Sequence, residues 1–248
     1  MHHEQGDSSR LATLIGGGSL IAATLLFSAV FVYLAQSFGY PDVLDLPAAD
    51  VLPRLLALGT TGRAVWVLYG LIPLLLVPTA MGVHAAARQA APLAARAALI
   101  TAVLSAVTMM AGLLRWPSLH WQLALVYPDA SPVAREAIAA TFAASNSYLG
   151  NFVGEFLGEL FLNSFFLFAS IALTRSASVS GRWLLVVGSF ASLLGGLAML
   201  RNATPWVESI AALNNVVLPI WMLILGTVLL RHRTSAWGPA PSAMPSQA

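Results

Sequence analysis

The chain has 248 residues, of which 58% are apolar and only 9% are charged, and its formal net charge is +2. A soluble domain carries roughly 25% charged residues, so this composition excludes an ordinary soluble protein and indicates one that lies in lipid. Cysteine and lysine are absent, which excludes disulfides and thiolate metal sites, and no basic block indicates nucleic-acid binding.

Long uncharged runs dominate the chain, and a bilayer-spanning helix needs about 20 such residues. The runs do not alternate as strands do, so we predict an all-α polytopic bundle of about six transmembrane helices. The first run is too long for the apolar part of a signal peptide, and we expect it to remain as a span. The predicted spans lie within residues 11–38, 64–84, 96–115, 149–174, 183–200 and 211–230.

The distribution of arginine predicts the orientation of these spans. With a cytoplasmic N-terminus, the inner side holds Arg10, Arg88, Arg96, Arg175, Arg182, Arg231 and Arg233, and the outer side holds Arg54, Arg63, Arg115, Arg135 and Arg201. The inner excess predicts that both termini are cytoplasmic. An arginine-only, alanine-rich chain is typical of a GC-rich bacterial genome, so we expect the bacterial inner (plasma) membrane.

The predicted membrane domain covers residues 11–233, after a cytoplasmic segment 1–10 and before a disordered tail 234–248 that is rich in Pro, Ser and Ala. Both long loops fall on the outer side, and each contains an amphipathic stretch, 47–59 and 131–145, that we expect to form a short surface helix. Ser131 before Pro132 has the pattern of a helix N-cap followed by the first helical position.

The fourth span carries the polar residues that could perform chemistry. Residues recur at intervals of four: Asn151, Glu155, Glu159 and Asn163. On an α-helix this spacing places them on one face, and carboxylates in a membrane must face the bundle interior. About 15 residues, or roughly 22 Å of helix, separate Glu159 from Arg175, which predicts that Glu159 lies inside the outer half of the membrane.

The topology brings Arg115, Arg201 and Glu208 to the outer boundary near these carboxylates. Two neighbouring carboxylates can share a proton, bind a cation or act as an acid, which leaves three interpretations open. They are a proton-coupled carrier, a membrane enzyme that uses Glu155 and Glu159 on a lipid-soluble, isoprenoid-like substrate, and a structural ion pair. In the structural case we expect Glu155 to pair with an arginine and Glu159 to lie uncharged below it.

Small residues accompany the carboxylates and predict close helix packing. Gly150, Gly154 and Gly158 follow span four, and Gly188, Ser192 and Gly196 form a small-residue face on span five. Such faces let membrane helices approach closely, so we expect the two to pack against each other. On the outer side His120 stands alone as a histidine, which is too little for a metal site beside two glutamates, and we expect neither metal nor cofactor.

Two segments carry a resemblance to a known family. The loop YPDVLDLPAADVLPRLL and the span-four segment SYLGNFVGEFLGELFLNSFFL are similar to a bacterial family of small integral membrane proteins, the domain-of-unknown-function family numbered 4386. The resemblance extends over about residues 11–230 and implies a multi-span helical membrane protein without an assigned activity. It supplies no catalytic residues. The partners that we expect are the bilayer and a small apolar ligand.

Overall fold

The computed structural model describes residues 2–176 and 182–232, and it confirms the predicted all-α membrane bundle. Within those residues it contains no strand, and six helices are long and apolar enough to cross a membrane: Asp7–Phe38, Gly59–Ala87, Pro92–Val126, Pro132–Arg175, Trp183–Asn202 and Pro205–Arg231. We refer to them as spans one to six. The predicted tail, 234–248, and Arg233 lie outside the described residues.

Several spans consist of more than one helical segment. The α-helices are α1 (His2–Phe38), α2 (Ala48–Ala57), α3 (Gly59–Leu71), α4 (Leu76–Ala87), α5 (Pro92–Leu113), α6 (Trp121–Val126), α7 (Pro132–Ser145), α8 (Gly158–Arg175), α9 (Trp183–Ala198) and α10 (Glu208–Arg231). Short 3-10 turns occupy Asp42–Asp45, Ile72–Leu75, Met199–Asn202 and Pro205–Val207. Two segments, Trp116–His120 and Asn146–Leu157, are π-helical.

Proline explains two of these interruptions. Pro73 lies in the 3-10 turn of span two and Pro117 in the π-helical turn of span three. Proline has no N–H and its ring clashes with the preceding turn, so an α-helix must change its geometry there. Irregular backbone in a membrane needs partners from neighbouring helices, and Arg63 Nε of span two donates to the carbonyl of Pro117 at 3.0 Å.

The six spans form a closed bundle. Each span packs against the next one along the chain, and span six packs against span one. Span two also contacts spans four and six, and therefore lies nearest the middle. The long-loop end of the bundle comprises residues 39–58, 114–148 and 199–208, whereas the terminal end holds the start of α1, residues 88–91 and the end of α10.

Span four is longer than the membrane is thick. Its 44 residues correspond to about 66 Å of helix, against about 40–45 Å for a bilayer with its headgroups. The predicted loop helix and span four are one continuous helix, which begins where the sequence predicted. Ser131 is its N-cap, and the Ser131 hydroxyl accepts a hydrogen bond from the backbone N–H of Ala134 at 3.3 Å.

An aromatic core fills the long-loop end between spans one, two and three. Trp66 and Trp116 stack with ring centroids 4.9 Å apart, and Phe38 meets both of them edge-on. Helix α2 forms at the surface with Asp50 and Arg54 exposed, and its apolar face is buried against this core. Burial raises the pKa of the neighbouring Tyr40 phenol, whose oxygen lies 3.4 Å from that of Tyr69.

A second core, at the terminal end, joins all six spans. It includes Leu20, Leu76, Phe165, Phe166, Leu184 and Trp221 together with the buried alanines of span three. At its edge Ser176 Oγ donates to the carbonyl of Ala86 at 3.1 Å and lies 3.1 Å from His232 Nε2. Burial lowers the pKa of His232, so the neutral ring joins the ends of spans four and six. Buried apolar side chains fill the interior of this half of the bundle.

Candidate functional site

Arg201 connects the two glutamates of span four to the end of span five. Its two terminal nitrogens bond both carboxylate oxygens of Glu159 at 2.7 Å, and Nη2 also bonds Glu155 at 2.9 Å. The expectation that Glu155 alone carries the ion pair is therefore wrong. Glu159 has the two-point contact, which is the stronger geometry for an arginine and a carboxylate.

Local structure holds Arg201 in this place. The residue lies in the 3-10 turn that ends span five, and Nη1 also donates to the carbonyl of Ala198 at 3.2 Å. One turn along span four, Asn163 Nδ2 donates to the backbone carbonyl of Glu159 at 2.7 Å. Gly195 faces the Asn163 carboxamide so closely that a Cβ at this position would collide with it. The glycine therefore allows spans four and five to meet beneath the charges.

The three charged side chains differ in exposure. Relative exposure is 31% for Glu155, 29% for Arg201 and 17% for Glu159. Glu155 is thus the more accessible carboxylate and has the single contact. The single positive charge of Arg201 cannot neutralise two ionised carboxylates. Arg115 is a second cation that interacts electrostatically with Glu155. The site is an ion-pair cluster in which Glu155 has only a single contact with Arg201.

Arg115 lies near this cluster but does not form an ion pair with either glutamate. Its Nη2 bonds Asn146 Oδ1 at 2.9 Å, Nη1 donates to the carbonyl of Gly112, and the guanidinium lies over the Trp116 ring at 5.1 Å. Gly150 makes room for it, because a Cβ there would collide with the guanidinium. Arg115 is only 5% exposed and is held by neutral partners.

Two other predicted site residues stand apart from the cluster. The side chains of Asn151 and Glu208 form no hydrogen bond or ion pair within residues 2–176 and 182–232, and Glu208 is exposed at the start of α10. The segment containing Asn151 is π-helical, with hydrogen bonds from i to i+5. Residues four apart stay on nearly the same face of such a turn, so Asn151 lacks a partner among the described residues although its spacing from Glu155 is the predicted one.

The glycines of span four pack against span three, not against span five as predicted. A Cβ on Gly154 would lie 2.8 Å from Gly112 Cα, and one on Gly158 would lie 2.7 Å from Met109 Cγ. On span five, Gly188 meets Ser170 and Trp221, and the Ser192 hydroxyl donates back to the Gly188 carbonyl. A Cβ on Gly196 would meet no heavy atom within 4 Å, so Gly195 is the packing residue.

Asn146 and Asn214 are not among the predicted site residues, and His120 was weighed only as a metal ligand. His120 Nε2 lies 3.0 Å from Ser145 Oγ in the aromatic core, and Asn146 binds Arg115. Asn214 is buried in span six, and its Oδ1 has no hydrogen-bond partner in the described part of the chain. An asparagine within a predicted span is the sequence signal that could have indicated Asn214.

Asn214 lies at the depth of Asn163. Span six runs parallel to span four and antiparallel to span five. Gly188 lies against both Ser170 and Trp221, so these three residues mark one common depth on spans four, five and six. Seven residues toward the long-loop end from that level are Asn163, Gly195 and Asn214. Two carboxamides therefore lie below the charged cluster.

The fold and this cluster define a multi-pass helical membrane protein with charged residues between its spans. The family model described as Domain of unknown function (DUF4386) matches residues 15–226, and the chain belongs to that family. No curated protein and no solved structure matches the chain.

Proposed function

We propose that the chain is a small proton-coupled carrier of the bacterial inner membrane, with its polar site open to the outside. The observation that carries the proposal is a polar row along span four. Its members are Glu155, Glu159 and Asn163, which cover eight residue steps, or about 12 Å of helix, from the long-loop end inward. Polar and ionisable residues at such depth in a membrane commonly mark the path of a solute or a proton.

The two halves of the bundle support an outward-open state. The row ends where Phe165, Phe166 and Trp221 fill the terminal core, and the Phe166 and Trp221 rings lie 6.4 Å apart. At the long-loop end the aromatic core is formed by spans one to three with α2 and the start of span four, and the described cluster includes no residue from 199–208. A path that is polar on one side and closed on the other suits a carrier that alternates between two states.

Glu155 is the residue that we expect to exchange its proton. It has one bond to Arg201, whereas Glu159 has two, and it is the more exposed of the two. The other ionisable groups that act on it electrostatically are Arg115, Tyr40 and Tyr69. A proton on Glu155 would remove one of the ionic contacts between spans four and five.

Membrane-enzyme chemistry receives less support from this geometry. An acid catalyst needs a carboxyl group that carries its proton, yet both oxygens of Glu159 accept hydrogen bonds from Arg201. A groove of about 570 Å³ that could hold an apolar substrate lies between spans two and three, away from both glutamates. The carrier interpretation therefore ranks above the isoprenoid-type enzyme.

The proposal includes the orientation and the domain limits. The long-loop end is the outer one and both termini are cytoplasmic, as the arginine distribution indicates. Residues 11–233 form one membrane domain after a short cytoplasmic segment 1–10. The assignment of 234–248 as a cytoplasmic tail rests on composition alone, because these residues lie outside the described part of the chain.

Cysteine accessibility tests the carrier proposal, since the chain has no cysteine of its own. A Cys in place of the buried Ser170 reports opening of the terminal core to an impermeant maleimide from the cytoplasmic side. We expect Glu155→Gln, which mimics the protonated carboxyl, to raise the labelling of Ser170→Cys several-fold. Glu136→Gln, at an exposed residue of the long-loop end, is the matched control and should leave the labelling unchanged.

Unchanged labelling in the Glu155→Gln background would mean that the cluster is a static lock, and the carrier proposal would be wrong. Two further single-cysteine variants check the orientation within the same assay. Glu136→Cys should react from outside the cell and Gln89→Cys from the cytoplasm, because these exposed residues lie at opposite ends of the bundle.

A further inference from the structure

A groove between spans two and three has features that the proposed carrier does not use. It has a volume of about 570 Å³, within the range of small-molecule sites, and it lies at the long-loop end. Ala64, Val67, Leu114 and Pro117 form its walls. Ala64 and Val67 are exposed, so the groove opens toward the lipid that surrounds the bundle. Apolar walls in this position suit a hydrocarbon chain.

Arg63 is held at the side of this groove by the irregular backbone of span three. The π-helical turn Trp116–His120 directs the Pro117 carbonyl toward span two, and Arg63 Nε donates to it at 3.0 Å. The guanidinium also lies over the Trp121 ring, 5.3 Å from its centre. These two contacts orient the side chain while its Nη1 and Nη2 atoms have no acceptor among the described residues.

The depth of Arg63 matches that of a lipid headgroup. It lies 24 residues before Ala87, the end of span two, which is about 36 Å of helix and exceeds the roughly 30 Å hydrocarbon thickness. Arginine binds phosphate through two parallel hydrogen bonds from one guanidinium. The hydroxyls of Thr60 and Ser118 also line the groove.

We infer that this groove is a specific site for one anionic phospholipid of the leaflet at the long-loop end. The phosphate binds Nη1 and Nη2 of Arg63, and one acyl chain lies along Ala64, Val67 and Leu114. Charge complementarity selects the lipid class, since Arg63 has no carboxylate partner in the described chain and the apolar walls offer nothing to a soluble anion.

Native mass spectrometry of the detergent-solubilised protein tests the site. Phosphatidylglycerol and phosphatidylcholine are titrated separately, and the wild type should retain one phosphatidylglycerol more tightly. Arg63→Gln should weaken that binding roughly tenfold, the effect of losing one hydrogen-bonded charge. Arg135→Gln is the matched control, because Arg135 also lies at this end but donates to the carbonyls of Tyr127 and Pro128.

A second variant separates the acyl chain from the headgroup. Val67→Trp fills the groove, leaves Arg63 and its two contacts in place, and should also weaken phosphatidylglycerol binding roughly tenfold. Equal binding in the wild type and Arg63→Gln would overturn the site, as would equal losses in Arg63→Gln and Arg135→Gln. Displacement of the lipid by inorganic phosphate, with Val67→Trp unaffected, would show a free-anion site and would also overturn the inference.

Discussion

Replacing Glu159 by Gln should destabilise the protein by roughly 2–4 kcal/mol, whereas Glu155→Gln should cost about 1 kcal/mol or less. Glu159 is 17% exposed and accepts two hydrogen bonds from Arg201, so its loss leaves the guanidinium without its main partner in a poorly solvated place. Glu155 has one bond and is 31% exposed, so water can replace part of that contact.

Thermal unfolding in detergent of the two single variants, side by side, measures this difference. The double variant Glu159→Gln with Arg201→Gln is the control for the ion pair, and it should lose less than the sum of the single losses. A larger loss for Glu155→Gln than for Glu159→Gln would reverse the assignment of the main partner. Additive losses in the double variant would show that Arg201 and Glu159 do not stabilise each other.

The six spans and the Ser131 cap could be predicted because each depends on local chemistry. A run of apolar residues has one stable environment, and serine before proline has one common role at a helix start. The partners of each face depend instead on how every helix is rotated in the bundle. Gly154 meets Gly112 of span three, and no spacing pattern marks that single glycine as its partner. Spacing identifies a face that allows close approach, but it does not name the neighbour.

The same limit applies to the charged residues. Topology correctly brought Arg115 and Arg201 to one end, yet only Arg201 bonds the glutamates. Arg115 turns toward Asn146 because Gly150 leaves space for its guanidinium. Asn151 shows the same limit again. Its spacing from Glu155 places it near the same face, but no described side chain supplies it with a partner.

Span four makes two different kinds of close contact with its neighbours at glycine positions. Toward span three, Gly154 and Gly112 bring backbone against backbone. Toward span five, the contacts involve side chains, namely Asn163 over Gly195 and Ser170 over Gly188. Side chains can change rotamer more easily than a backbone can move. Spans three and four therefore form the rigid pair, and relative movement is expected between spans four and five, where the charged cluster lies.

Gly154→Leu should accordingly have the largest effect on folding, a loss of roughly 3 kcal/mol or more, because overpacking a rigid contact forces the backbones apart. The added Cβ would lie 2.8 Å from Gly112 Cα and 3.1 Å from the Leu149 carbonyl, and neither atom belongs to a flexible side chain. In a membrane, close packing of this kind is a main source of helix association, so little else replaces it.

Gly196→Leu is the control for this prediction, since a Cβ at Gly196 meets no heavy atom within 4 Å. The change should stay within about 1 kcal/mol of the wild type, because leucine favours a helix more than glycine does. Thermal stability and the yield of monodisperse protein in detergent measure both variants. If Gly154→Leu retained the melting temperature of Gly196→Leu, the contact between spans three and four would not be the rigid one, and movement between spans four and five would lose its physical basis.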